Sequence, residues 1–385
     1  MKMKKKKSFK VLAIETSCDE TAAAVVESRV SNKESGIKIL SNVVSSQINL
    51  HRLTGGVVPE VAARAHVEKI IPVISKALLE ARIQPEKIDI IAVTTGPGLI
   101  GSLLVGVNAA KTLAFVWNKP IIGIDHIRAH IYANFIGINS KPIPYRRSPV
   151  ALPLFPALCL VVSGGHTSLI LMRDHENFKT VGETLDDAAG EAFDKAAAIL
   201  GLSYPGGPAI AAEAAKFSMA KSKFQTNSKL QNFKKTSTTK PLLSIIFPRP
   251  MINSPDFNFS FSGLKTALLY TVRDLKKIRE REKAMLAAEF QQAIVDVLVK
   301  KTIRAAERYK AKSILLGGGV AANSLLRQEL VLNVKSEKLK TKIFLPEAKL
   351  CTDNAAIVGT NACFCWEKAK KLDWRFLVSN PNLGL

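Results

Sequence analysis

Short apolar runs bounded by turn residues alternate with longer stretches in which apolar positions recur every three or four residues, the pattern of sheets covered by helices. Val11-Leu-Ala-Ile14 reads as a strand, followed by a polar turn and a second strand from Ala22 to Val26. Lys38 to Val44 adds a third antiparallel strand, with Ser-Asn-Lys-Glu-Ser-Gly at the bend. Val57 to Arg82 has helical periodicity after Pro59, and Pro72 inside it predicts a break or kink. Ile88 to Thr94 reads as a buried strand, Ser102 to Phe115 as a helix, Pro120 to Ile124 as a strand and His126 to Phe135 as a helix.

Gly137 to Pro156 is rich in Pro, Ser and Arg and marks a boundary, beyond which the pattern restarts. Leu158 to Val162 reads as a strand, Ser163-Gly-Gly-His-Thr167 as a polar turn and Ser168 to Met172 as a second strand. The parallel with Val11 to Val26 is architectural, not a repeat of residues, and predicts a duplicated α/β design. Asp187 to Ile199 reads as one helix, with Asp187, Glu191 and Lys195 spaced by four for ion pairing. Lys216 to Lys240 carries seven lysines and no acid, and reads as a flexible basic insertion reaching about residue 245. Lys265 to Tyr309 reads as helix, Ser313 to Leu316 as a strand ending in Gly317-Gly-Gly319, with a helix from about Asn323 and a last one from Asn354 to Lys371. The expected organisation is a basic tail over residues 1–10, a first lobe over 11–145 and a second over 146–385, with the last helix free to return to the first lobe.

Composition adds the partner class. Hydrophobic residues make up 47% and charged residues 23% of 385, as in a folded domain rather than a disordered chain. Lys and Arg (55) exceed Asp and Glu (32), a net charge of +23, which excludes an acidic surface and favours a polyanionic partner or a membrane surface. Five scattered cysteines form no disulfide framework, so a reducing, cytoplasmic setting is expected. The lysine-rich start resembles a signal peptide, but Glu15, Asp19 and Glu20 cut its apolar run short. Ile90 to Ala110 and Ser148 to Met172 lack charges, yet their glycines and prolines fit buried strands and turns better than a membrane span, and no membrane partner is expected.

Several strings could carry chemistry. Gly317-Gly-Gly-Val-Ala-Ala-Asn323 joins a strand to a helix, where free amides favour phosphate; a tight structural turn is the alternative, and no Walker lysine follows. Ser163-Gly-Gly-His-Thr167 can wrap a phosphate or serve as an ordinary hairpin turn. Asp19 and Glu20 occupy the corresponding turn of the first half, where carboxylates hold a metal, accept a proton or simply face solvent. His126-Ile-Arg-Ala-His130 puts two imidazoles on one helix face, a spacing that suits a shared cation as well as a paired core. Ile127 follows where a zinc peptidase has Glu. Asp353 is a candidate third ligand, although a helix cap explains it equally.

Taken together these strings resemble one family, the tRNA adenosine threonylcarbamoyltransferases, once mislabelled sialoglycoprotein endopeptidases. The resemblance rests on Ile14-Glu-Thr-Ser-Cys-Asp-Glu-Thr21, Gly55-Gly-Val-Val-Pro-Glu60 and Gly96-Pro-Gly-Leu-Ile-Gly-Ser-Leu103. It continues through Ser163 to Thr167, Gly182 to Lys195, Tyr204-Pro-Gly-Gly-Pro208, Phe247-Pro-Arg-Pro-Met251 and Phe259-Ser-Phe-Ser-Gly-Leu-Lys265, and ends with Gly317 to Asn323 and Cys351-Thr-Asp-Asn354. The strings stand in family order from residue 11 to about 365.

The resemblance implies an α/β fold of two duplicated actin-like lobes, related to sugar kinases and ribonuclease H, around a ligand cleft. It implies transfer of a threonylcarbamoyl group from threonylcarbamoyl-AMP to the exocyclic amine of the adenosine beside the anticodon, in tRNAs reading codons that begin with A, with release of AMP. It places one divalent metal on His126, His130 and Asp353, iron(II) ahead of zinc(II), with magnesium able to accompany nucleotide. Val162, Ser163, Gly164, Gly165, His166, Asp194, Gly207 and Asn323 would contact the adenylate, and Asp19 and Glu20 would be the catalytic carboxylates. An inactive paralogous subunit and a P-loop ATPase subunit are the implied protein partners, with Val57 to Arg82 a place for a partner helix. Two departures stand out. Arg128 replaces the Glu common between the histidines, which puts a positive charge beside the ligands, and Ala211 stands where an acid often meets the ribose. The competing readings are a non-catalytic scaffold of the same complex and an ATP-dependent small-molecule kinase or carbamoyltransferase of the same fold.

Overall fold

Strands β1 (Ser8–Glu15), β2 (Glu20–Val30) and β3 (Ser35–Ser46) form an antiparallel meander, beside which β4 (Ile90–Gly96) and β5 (Ile121–Asp125) run parallel to β1 in the order β3-β2-β1-β4-β5. The second sheet repeats this plan. In it β6 (Ala157–Val162), β7 (Thr167–Met172) and β8 (Phe178–Glu183) are antiparallel, and β9 (Ser313–Gly317) and β10 (Lys342–Phe344) complete the order β10-β9-β6-β7-β8. Two sheets of the same strand order bear out the duplicated α/β design. The structure is a computed structural model that describes residues 8–30, 35–136, 152–225, 245–275, 277–369 and 372–384. Most of the inter-lobe stretch, 137–151, the remainder of the basic insertion, 226–244, and tail residues 1–7 lie outside the described residues.

Period-two alternation builds the layers. In β6, Leu158, Leu160 and Val162 face a core shared with α5 (Ala189–Ile199), α6 (Gly206–Gln225), α7 (Ser262–Asp274), α8 (Glu280–Arg308) and α9 (Ser324–Ser336). Ala157, Cys159 and Val161 face the opposite way, onto Ile127, Ile131 and Tyr132 of α4 (His126–Tyr132). In β1, Leu12 and Ile14 pack on α2 (Pro59–Ala81) and α3 (Ile100–Val116), while Val11 and Ala13 meet α10 (Ala355–Ala369). The last helix therefore covers the first sheet. Burying Ile357 and Val358 stabilises that packing by roughly 1.5–3 kcal/mol each, enough to carry the residues before α10 into the first lobe.

Four sequence expectations are corrected. Pro72 neither ends nor divides α2, which runs from Pro59 to Ala81 with Pro72 on its exposed face. The helix expected from Asp187 starts at Ala189, yet Asp187 still pairs with Lys195 at 2.7 Å, as does Glu191 at 2.8 Å. Lys265 to Tyr309 is two helices, the first ending at Asp274 and the second starting at Glu280. The basic segments are also shorter than they read. Residues 216–225 are the last turns of α6, and Ser8–Lys10 belong to β1, where Lys10 reaches Glu27 at 3.6 Å.

Candidate metal and adenylate cleft

The parallel strands of the first sheet all point their C-terminal ends at one edge, and the site grows from that edge. β1 ends in Glu15, β4 in Thr94–Gly96, and β5 ends in Asp125 and runs directly into α4. Asp125 accepts from the Arg128 amide at 2.8 Å and so caps α4, setting its first turn against β1. His126 and His130, one turn apart, then face the same way, their rings 4.7 Å apart and nearly perpendicular.

Asp353 meets them from the segment before α10. Its Oδ1 lies 3.1 Å from His130 Nε2 and 3.6 Å from His126 Nε2. The alternative reading of Asp353 as a helix cap is settled by its neighbour. Asn354 Oδ1 accepts from the amides of Ala356 (3.1 Å) and Ile357 (3.3 Å), and Asn42 of β3 also accepts from Ala356, at 3.2 Å. The capping is done without Asp353, whose carboxylate turns to the imidazoles. One donor atom from each of His126, His130 and Asp353 lies within 4.8 Å of the others. Ligands about 2.1 Å from a shared ion sit roughly 3.0–3.4 Å apart, close to the 3.1 and 3.6 Å of the two His–Asp pairs, and two imidazoles with one carboxylate suit iron(II) or zinc(II).

Behind His126 stands a residue that the sequence reading passed over. Glu15 is fully buried and accepts from Thr94 Oγ1 (2.7 Å), the Ser17 amide (2.6 Å) and His126 Nδ1–H (3.1 Å). Ser17 Oγ lies 3.1 Å from the same nitrogen. This fixes the proton on Nδ1 and leaves Nε2 for the cation. The available signal was a carboxylate closing the apolar run Val-Leu-Ala-Ile, a charge that a buried strand end tolerates only with partners. Glu15→Gln is expected to weaken metal binding about 10- to 100-fold with the ligands intact, measured by metal titration; unchanged affinity would dismiss Glu15 as a positioning residue.

Electrostatics set the resting state of this cluster. Burial works against charge on His126, but Asp353 and Glu15 outweigh it and push its pKa up to about 9. Burial likewise opposes charge on Glu15 and Asp353, yet His126 holds both below the ordinary carboxylate range. Glu20 goes the other way, pushed up to about 10 by burial, then by Asp353 and Asp19, so it is a neutral acid at pH 7. Its Oε1 accepts from Ser46 Oγ at 3.0 Å. Glu20 therefore feels the charge of Asp353, and with Asp19 only 9% exposed and Glu20 half-buried the turn is not a freely solvated one.

The second lobe closes the cleft with glycines. Ser163 and His166 are tied by a 2.8 Å amide-to-carbonyl bond and by a 3.1 Å bond from the His166 amide to Ser163 Oγ, leaving Gly164 and Gly165 bordering open space. Gly318 has φ +86° and packs on Val162 so closely that any Cβ would strike the Val162 carbonyl, which holds the two glycine turns together. His166 is pulled down to about 4, first by burial and then by the charges of His126 and His130. Asp194 Oδ1 accepts from Gly206 N at 2.6 Å and positions the start of α6, where Gly207 faces open space. Asp194 is raised mainly by burial, with Asp19 of the other lobe adding to the shift. Asn323 caps α9 through Leu326 N (3.1 Å) and donates to Gln291 at 2.8 Å.

Other sequence features fall outside the cleft. Arg128 does not enter the ligand surroundings, because two residues along α4 is more than half a turn away, and its guanidinium stacks 4.6 Å above Phe178. The acid nearest to Ala211 on α6, Glu213, lies on another face and pairs with Lys216 at 2.6 Å. Phe259, Phe261 and Leu264 are core residues, and Arg249 bridges Glu289 and Asp296 of α8. Those motifs build the second lobe.

Two sheets of matching order, with a His-His-Asp cluster against the glycine turn at Gly317, define a twin-lobed protein of the actin-like, sugar-kinase-like class. Among solved structures, full-length HypF in its phosphate- and nucleotide-bound form has a TM-score of 0.50 at 12% identity, over 96% of this chain and 47% of that one. HypF of T. kodakarensis has a TM-score of 0.50 at 13%, over 96% and 49%. The family model for tRNA N6-adenosine threonylcarbamoyltransferase matches residues 38–360. Curated proteins of that name are 45% identical in Listeria monocytogenes serotype 4b (99% of this chain, 98% of the relative), 46% in Syntrophomonas wolfei (91% of each) and 45% in Geobacillus kaustophilus (97% and 96%). The chain belongs to the tRNA N6-adenosine threonylcarbamoyltransferase family and is a transferase. No helix among the described residues is long and apolar enough to cross a membrane.

Proposed function

We propose that the protein transfers the threonylcarbamoyl group of threonylcarbamoyl-AMP to the exocyclic amine of the adenosine beside the anticodon, in tRNAs reading codons that begin with A, and releases AMP. The observation that carries this reading is the joining of two devices in one cleft: the His126, His130 and Asp353 cluster, and a glycine cradle whose His166 feels the charge of the cluster. A carbamoyl-adenylate is already activated, so no covalent nucleophile is needed. The amine nitrogen attacks the carbamoyl carbon, the carbon–oxygen bond to phosphate breaks, and AMP leaves with that electron pair.

The side chains divide this work. Amides of Ser163 to Gly165 and Gly317 to Gly319 supply donors for the phosphate. Glu20, held neutral, donates a proton toward the charge that develops at the departing oxygen, and Asp19 accepts the proton lost by the amine. A divalent ion held by His126, His130 and Asp353 would supply Lewis acidity and an anchor for the polar atoms of the donor. The +23 charge supports tRNA as the polyanionic partner. None of the five cysteines, all among the described residues, forms a disulfide, and with this substrate that supports a cytoplasmic protein. Exposed Val67, Ile71 and Leu79 on α2 support a packed partner, for which the inactive paralogue is the candidate, with a P-loop ATPase subunit beside it. A scaffold has no need of a complete donor set, which disfavours that reading.

The test combines purified protein, the two partner subunits, the adenylate donor or its ATP, threonine and bicarbonate precursors with a donor-forming enzyme, and unmodified tRNA. Threonylcarbamoyl-adenosine in the nucleoside mass spectrum is expected; its absence would overturn the reading, and turnover without tRNA would favour the small-molecule alternative. A pH prediction accompanies it. His126 holds its proton up to about pH 9 in the metal-free site, and a ligating imidazole must give it up. Metal affinity should therefore rise about tenfold per pH unit below that value and level off above it, with one proton released per ion in calorimetry. A flat profile from pH 6 to 9 is the contrary result.

A further inference from the structure

His66 of α2 has no exposed surface and no part in the chemistry above, yet both of its ring nitrogens are engaged. Nδ1 lies 2.8 Å from Thr21 Oγ1, and Nε2 lies 3.0 Å from the carbonyl oxygen of Cys18. A carbonyl only accepts, so Nε2 carries the proton and Nδ1 receives the Thr21 hydroxyl. Burial draws the pKa of His66 below its ordinary value, which keeps the ring in this one neutral tautomer. The two residues it grips stand immediately on either side of Asp19 and Glu20. From the opposite side the end of β3 holds the same turn, with Gln47 N donating to Asp19 O at 3.0 Å and Ser46 Oγ to Glu20 at 3.0 Å. Gln47 is itself tied to α2 through Ala62 O (3.3 Å) and to His51 Nε2 (3.2 Å).

We infer that His66 is a positioning residue of the transfer reaction, a rigid bracket across the acidic turn that sets where the Asp19 and Glu20 carboxyls point into the cleft. The inference rests on the role proposed above for those carboxyls. A turn of four residues pinned at both ends by one planar ring has little freedom to rotate its side chains away. Loss of the ring leaves the metal cluster, the glycine cradle and the core of α2 in place while the two carboxyls lose their aim. A misplacement of about 1 Å at reacting groups costs on the order of 100-fold in rate.

The test uses the full chain with its partner subunits and tRNA. His66→Leu keeps the bulk of the side chain and removes both bonds, whereas His66→Gln retains an amide donor for Cys18 O. The leucine variant is expected to lose about 10- to 100-fold in kcat with donor KM within about threefold, unchanged metal stoichiometry and faster amide exchange over residues 17–22; the glutamine variant should recover most of the rate. In an Asp19→Asn, Glu20→Gln background the leucine substitution should cost little further, because its effect runs through those two carboxyls. Additive losses in that cycle would overturn the inference while leaving Glu20 in its role, whereas full activity of Glu20→Gln alone would overturn that role instead. If His66→Leu does not fold, Thr21→Val, which deletes one of the two bonds, should show the same kcat loss on a smaller scale, and an unchanged kcat in that variant overturns the inference.

Discussion

Asp353→Asn should abolish stoichiometric metal binding and cut transfer by at least about 100-fold while the melting temperature stays close to that of the wild type. Asp353 alone faces both ligand nitrogens, and it is the anionic member of the set. Asparagine has the same shape but brings no charge and a weaker donor. The substitution is clean because α10 is capped by Asn354, so the helix start survives. It also carries a second readout. Asp353 is the largest influence holding the proton on His126, so the His126 pKa should fall below about 9, visible in imidazole NMR. Retained metal at one ion per chain would remove Asp353 from the ligand set.

Gly318→Ala should be nearly as damaging to activity, by a different route. At φ +86° an L-residue is strained, and the added methyl meets the backbone of Val162, which cannot swing aside as a side chain does. The two costs together are on the order of 1–3 kcal/mol, several degrees in melting temperature. The larger effect is local, because relief of the collision separates the Gly317–Gly319 turn from the Ser163–His166 turn. Binding of a non-reactive acyl-adenylate mimic should weaken at least about tenfold by calorimetry. Unchanged binding would mean that the glycine turns do not act as one cradle.

These outcomes separate what was legible in the sequence from what was not. Periodicity located nearly every strand, since a strand buried on both faces leaves a short apolar run that turn residues bracket, as with Ile88 to Thr94 and Leu158 to Val162. Strand β8 was passed over because its residues, Phe178 to Glu183, are mostly half-exposed at a sheet edge and carry little hydrophobic signal. The histidine pair was visible from its spacing, whereas Asp353 competed with Asn354 for the same explanation until the hydrogen bonds of α10 assigned each its task. Glu15, Thr94, Ser17 and His66 act through contacts across tens of residues, between strand ends and helix faces that only the folded chain brings together. Arg128 read as a disturbance of the ligands because the sequence names its neighbours but not the face of the helix on which it lies.

The most direct measurement is anomalous diffraction at the iron and zinc absorption edges from crystals of metal-loaded protein soaked with a non-hydrolysable threonylcarbamoyl-adenylate mimic. A single peak bounded by His126 Nε2, His130 Nε2 and Asp353 is the expected result, with the mimic's phosphate on the amides of Ser163–Gly165 and its acyl group turned toward Asp19 and Glu20. A mimic bound elsewhere, or a metal peak remote from the two imidazoles, would contradict it.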